Sequence, residues 1–72
     1  MEYVPVRCRI PEILLRIGKD QKWLAIETGK SQQKISDYCT LRDVMSLHTA
    51  ALIAFVLRCR IDDLYVWEWR TK

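Results

Sequence analysis

A chain of 72 residues, half of them hydrophobic and 29% charged, is sized for one small domain spanning 1–72, and its balance is neither disordered nor collagenous. Twelve basic residues against nine acidic leave a net charge of +3, which permits an anionic partner without requiring one, so the placement of the charges must decide. No apolar run approaches the roughly 20 residues of a membrane span, and MEYVPVRCRI lacks the apolar stretch and cleavage site of a secretory signal, so a cytoplasmic protein is expected.

Residues 2 to 9 (EYVPVRCR) alternate, with Val4, Val6 and Cys8 on one side and Pro5, Arg7 and Arg9 on the other, which predicts a short half-buried strand. Pro5 confines it to a sheet edge or a strand end. Pro11 suits the first position of a helix, where a missing N–H does no harm, and Ile10, Leu14 and Ile17 recur at helical spacing before Gly18 closes the segment. Asp20 is placed to cap a second helix of about two turns, DQKWLAIETG, with Leu24 and Ala25 facing inward and Gly29 at its end. Ser31 caps a third, SQQKISDYC, in which Ile35 with Tyr38 or Cys39 forms the buried side and Gln32, Gln33, Ser36 and Asp37 are left outside.

Residues 40 to 45 break the helical period. Ser46 then caps LHTAALIAFVL, where Ala50, Ile53, Ala54 and Leu57 make one stripe, while Leu52, Phe55 and Val56 are too apolar for an ordinary solvent face. RCRIDDLY supplies a further helical turn. In YVWEW, Tyr65, Trp67 and Trp69 alternate with Val66 and Glu68, and antiparallel pairing of residues near 3 to 8 with residues near 64 to 69 would spare both termini an open edge. Trp67 and Trp69 are expected to complete the core rather than hold a ligand, since so short a chain must bury its large side chains somewhere. The apolar surplus on the fourth helix is to be covered either by these strands or by a second copy.

Chemistry-bearing motifs are sparse. Cys8, Cys39 and Cys59 form no CxxC pair and are odd in number, which suits small buried apolar residues better than a disulfide framework. With His48 as its one histidine, the chain offers neither a zinc set nor a local catalytic base, no phosphate loop is visible, and neither enzyme activity, metal, cofactor nor small-molecule ligand is expected.

The order of short helices, the tight turn between the second and third, and the pattern Gln21, Leu24, Ala25, Gly29, Ile35 resemble the phage repressor and Cro (XRE) family of helix-turn-helix DNA-binding domains over roughly residues 10 to 64. The later string Ile53, Ala54, Leu57, Cys59, Leu64 is similar to that family's closing core, with Cys59 where valine is common. The resemblance implies a mainly α fold of five short helices of the lambda-repressor type, its motif at about 20–39, with the two termini pairing as a small antiparallel sheet. It also implies a bacterial or phage-encoded transcriptional regulator, a repressor type acting as a homodimer on double-stranded DNA. The third helix would then enter the major groove with Gln32, Gln33, Ser36 and Asp37 at its base-reading positions. An amide suits adenine's N6 and N7 edge, whereas the Asp37 carboxylate either accepts from cytosine N4 or is repelled toward solvent. Gln21 and the amides at the start of the second helix would meet a phosphate, joined by Lys19, Lys22, Lys30, Ser31, Lys34 and Arg42.

The chain departs from the family pattern at Lys30, where valine is common after the turn glycine, at Leu41, where glycine or asparagine often follows the third helix, and at Arg58, the usual glycine after the fourth. Trp23 replaces a commonly polar residue; packing on Tyr38, facing a partner and covering a sugar are all open to it. A second function fits the same scaffold, a protein-interaction module of antitoxin or antirepressor type, with Leu52, Phe55, Trp67 and Trp69 as interface candidates.

Overall fold

A computed structural model describes residues 1–71. Strand β1 (Glu2–Cys8) leads into helix α1 (Ile10–Ile17); helices α2 (Gln21–Thr28), α3 (Gln32–Cys39) and α4 (Leu47–Leu57) follow, and a 3-10 turn (Ile61–Leu64) delivers strand β2 (Tyr65–Arg70). The molecule is mainly α with a two-stranded antiparallel sheet. The expected fifth helix is only this 3-10 turn. There Asp63 folds back on Arg60, its N–H donating to the Arg60 carbonyl at 2.9 Å while its carboxylate accepts the Arg60 N–H at 3.0 Å.

Local chemistry sets the helix boundaries. The Asp20 carboxylate accepts the Trp23 N–H at 2.8 Å, the Ser31 hydroxyl accepts the Lys34 N–H at 3.1 Å, and the Ser46 hydroxyl accepts the Thr49 N–H at 3.2 Å. Each satisfies one donor that the first helical turn leaves without a partner. Gly18 (φ 72°) and Gly29 (φ 71°) end α1 and α2 in the left-handed conformation that glycine adopts without a Cβ clash. Pro11 stands second in α1 rather than first, and the buried face of that helix is Ile10, Ile13 and Leu14. Ile17, expected inside, is exposed; as the last residue of α1 it lies on the rim of an open hollow rather than under the next helix.

Among the described residues the largest fully buried side chains are Ile10, Leu24, Ile35, Ile53 and Leu64, one from each helix and one from the 3-10 turn. Around them close Ala25, Tyr38, Met45 and the α4 stripe Ala50, Ala54 and Leu57. Burial of each Ile or Leu of this set stabilises by about 1.5–3 kcal/mol, so each helix and the 3-10 turn contributes at least one such anchor to the core.

The sheet pairs Glu2 with Arg70, Tyr3 with Trp69, Val4 with Glu68, Pro5 with Trp67, Arg7 with Val66 and Cys8 with Tyr65. The register shifts between Pro5 and Arg7, leaving Val6 as an extra residue in a bulge. That shift overturns the simple alternation expected of β1. Since paired residues share a face, Tyr3 and Pro5 lie with the tryptophans, and Cys8 joins them beyond the bulge instead of siding with Val4. Cys8 and Tyr65, at the base of the sheet, are buried, and the Tyr65 hydroxyl accepts the buried Met45 N–H at 3.1 Å. Trp67 and Trp69, expected in the core, are instead 39% and 64% exposed, because β2 runs past the edge of the helices and their rings pack on Tyr3, at centroid distances of 5.3 and 4.7 Å.

Candidate nucleic-acid interface

Helices α2 and α3 are each eight residues long, pack against one another, and are joined by Gly29, Lys30 and Ser31. Leu24 and Ala25 from the first and Ile35 and Tyr38 from the second turn into the core. This inward set fixes what remains outside. Gln32 and Gln33 stand exposed in the first turn of α3, directly after its Ser31 cap, while Ser36 and Asp37, one turn on, are half-buried. The Gln33 amide Nε2 donates to Asp37 Oδ1 at 2.9 Å.

The basic residues around the motif are not equivalent. Lys22 and Arg42 are exposed and Lys30 is half-buried beside the turn. Lys19 rests 5.4 Å over the ring of Trp23, so that indole is partly covered by a cation from the preceding loop. Lys34 is tied to the Asp43 carboxylate and lies 5.5 Å over Tyr38. The same contact holds the Asp43 carboxyl below its ordinary value, chiefly through the hydrogen bond from Lys34, and raises the Lys34 ammonium. Asp43 also caps its own loop, accepting the Val44 N–H at 2.9 Å and donating its N–H to the Asp37 carbonyl at 3.2 Å. Asp43 thus pins the segment after α3 to that helix, a part that no local pattern in the sequence announces. Gln21 is half-buried at the start of α2, beside the Asp20 cap.

The four apolar interface candidates fall into separate places. Trp67 and Trp69 join Tyr3 and, edge-on, Tyr65 in an aromatic cluster on the sheet. Phe55, 82% exposed, belongs to a different surface, an open hollow of about 1240 Å3 also lined by Ile13, Ile17, Trp23 and Val56. Leu52, on α4, is 38% exposed. Cys8 and Cys39 interact inside the fold: hydrogen bonding with Cys8, together with burial, pushes the Cys39 thiol up, and the same interaction holds Cys8 lower. Among the described residues no helix is long and apolar enough to cross a membrane, and no group of three His, Cys, Asp or Glu side chains is arranged for a metal ion.

Two short capped helices, joined by a left-handed glycine and presenting the start of the second to solvent, define a helix-turn-helix protein. No protein-family model matches the chain. Over 72 residues, 99% of the chain and 90% of its relative, it is 31% identical to the SPbeta prophage-derived uncharacterized HTH-type transcriptional regulator YotL of Bacillus subtilis (strain 168). Over 63 residues, 86% of the chain and 85% of the relative, it is 40% identical to YopS, which carries the same description in that organism. The chain belongs to this family of HTH-type transcriptional regulators.

Proposed function

We propose that the chain is a sequence-specific DNA-binding regulator of the phage repressor and Cro type, a single domain that reads the major groove with α3 and works as a homodimer in the bacterial cytoplasm. The observation that carries this reading is the exposure of Gln32 and Gln33 at the capped start of α3, on a chain whose relatives are named as HTH-type transcriptional regulators. Amides at this end of a recognition helix can pair with base edges, and Ser36 and Asp37 lie one turn behind them. Lys22, Lys30 and Arg42, with Ser31, Gln21 and the first amides of α2, would grip phosphates on either side; Lys19 and Lys34 add charge while resting on Trp23 and Asp43. An ammonium has three donors, so Lys34 retains two for a phosphate.

A single module of this kind buries about 600–1,000 Å² on DNA, which favours two copies on a two-fold site with half-sites about 34 Å apart. Selection from random duplex DNA at low salt should return an enriched motif with that symmetry, and recovery of no motif would defeat the reading. Within such a motif, Gln33→Ala should relax one base pair at a loss of about 1–3 kcal/mol, whereas Lys22→Ala should weaken every duplex alike and flatten the salt dependence by about one unit of slope.

The exposed Phe55 and the aromatic cluster of Trp67 and Trp69 favour a second reading, in which the same scaffold serves as a protein-interaction module of antitoxin or antirepressor type. Sedimentation at micromolar concentration tests this second reading: a strict monomer whose tryptophans are shielded from water would remove its main support.

A further inference from the structure

The hydrogen bond from Gln33 to Asp37 gives α3 an acidic residue in a place where a DNA reader would be expected to avoid one. A carboxylate facing a polyanion is repelled by the phosphates of every sequence, and direct reading would offset this only at a cytosine, so its bond to Gln33 points to another role. We infer that Asp37 is a specificity-positioning residue, which fixes the orientation of the Gln33 amide and thereby the base that Gln33 accepts. The inference rests on the base-reading role proposed above for α3.

The chemistry follows from what each group can do. A glutamine amide carries a donor end and an acceptor end, and a flip of its terminal torsion exchanges them. An ionised carboxylate can only accept. With Asp37 Oδ1 at 2.9 Å, one proton of the Gln33 Nε2 is engaged, and the flipped amide would set its oxygen against the carboxylate oxygen. The main chain that carries the carboxylate is fixed, the Asp37 carbonyl accepting the Asp43 N–H at 3.2 Å and the Thr40 hydroxyl at 3.3 Å, and the residue is half-buried, while Gln33 is exposed. Gln33 therefore presents its oxygen and one remaining N–H in a fixed order. That order matches adenine, which offers an N6 donor beside the N7 acceptor, and fails against guanine, which offers two acceptors. Without Asp37 the amide is free to turn its NH2 toward guanine O6 or N7, and the discrimination falls.

The experiment compares wild-type protein, Gln33→Ala, Asp37→Ala, Asp37→Asn and the Gln33→Ala/Asp37→Ala double variant on the selected duplex and all its single base-pair changes. The expected result is that Asp37→Ala loses about five- to hundredfold of preference at the base pair that Gln33→Ala also relaxes, and that the double variant loses no more there than Gln33→Ala alone. Binding to unrelated duplex should strengthen in Asp37→Ala, since a like charge has left the interface. Asp37→Asn, which keeps a hydrogen bond but lets both amides flip together, should fall between wild type and Asp37→Ala. Unchanged base preference in Asp37→Ala, with only helix stability lowered, would overturn the inference and leave Asp37 a helix staple. Additive losses at two different base pairs would overturn it in favour of direct reading by Asp37. If Gln33→Ala relaxed no base pair at all, the base-reading role itself would fall and the inference with it.

Discussion

The helices and the terminal sheet place their large apolar side chains in opposite ways. Each helix sends one fully buried aliphatic residue into a common centre, Ile10, Leu24, Ile35 and Ile53, and covers it with small neighbours such as Ala25, Ala50 and Ala54. In the sheet only the base belongs to that centre, through Cys8 and Tyr65, while Tyr3, Trp67 and Trp69 stack on one another toward the outer end, more than a third exposed. The contrast separates two tasks. The helices and the foot of the sheet hold the fold and so aim α3, whereas the tip of the sheet holds chiefly itself and leaves an aromatic surface available.

The contrast is sharpest where a single aliphatic side chain is removed from the centre. Ile53→Ala should lower the free energy of unfolding by about 2–5 kcal/mol, measured by urea denaturation, since a fully buried isoleucine leaves both lost transfer energy and a cavity. Chains of this length command only roughly 0.05–0.15 kcal/mol per residue, so the variant would approach the limit of folding. Next comes the junction of the two regions. Tyr65→Phe keeps the ring but strips the acceptor from the buried Met45 N–H, and the expected loss is about 1–3 kcal/mol with little change in the sheet itself. A smaller loss would show that the foot of the sheet is less committed to the core than its burial indicates.

At the tip, Trp69→Ala removes a ring that is 64% exposed and whose tilted contact with Tyr3, at 4.7 Å, is worth about 0.5–1.5 kcal/mol. The same urea titration should therefore find it well below Ile53→Ala. Equal losses from the two substitutions would break the comparison and make the aromatic cluster a second core.

Legibility in the sequence follows the same division, for a physical reason. Helix caps act over three residues and the α4 stripe over one face of one helix, so Asp20, Ser31, Ser46 and the set Ala50, Ile53, Ala54 and Leu57 could be read locally. The exposure of Gln32 and Gln33 followed from the cap before them and the buried Ile35 behind them. The hydrogen bond from Gln33 to Asp37 obeys the four-residue spacing of a helix, so it too is legible locally. What remained hidden depends on chain segments that meet only in the fold. The bulge at Val6 exists relative to β2, the tryptophans leave the core because Tyr3 is there to stack on, and Lys34 finds Asp43 nine residues away across a loop. Leu41 stands where glycine or asparagine is often found in the resembled family and Arg58 where glycine is usual, and both adopt the left-handed backbone, at φ 62° and 57°. The fold imposes that geometry on side chains that resist it, which a reading of residue types along the sequence does not reveal.

The smallest expected effect concerns charge on the helical side, where Asp43 joins the loop after α3 to Lys34. The Asp43 carboxyl is held below its ordinary value of 3.8, first by the Lys34 hydrogen bond, against a smaller opposing effect of desolvation. A carboxyl depressed in the folded state releases its proton more readily there than in the unfolded chain, so the stabilisation is present above the unfolded value and disappears as pH falls through the lower folded one. Glu12, depressed by Arg9, titrates in the same direction. Thermal midpoints should therefore decline below about pH 4, and Asp43→Asn should make that decline shallower while leaving the sheet-tip variant Trp69→Ala with the wild-type slope. Because both partners are exposed, added salt should shrink the difference between wild type and Asp43→Asn. An acid slope identical in the two proteins at low salt would mean that the lysine and the carboxylate merely lie side by side, and that the loop after α3 is held without them, by bonds such as those from Asp43 N–H to Asp37 and from Met45 N–H to Tyr65.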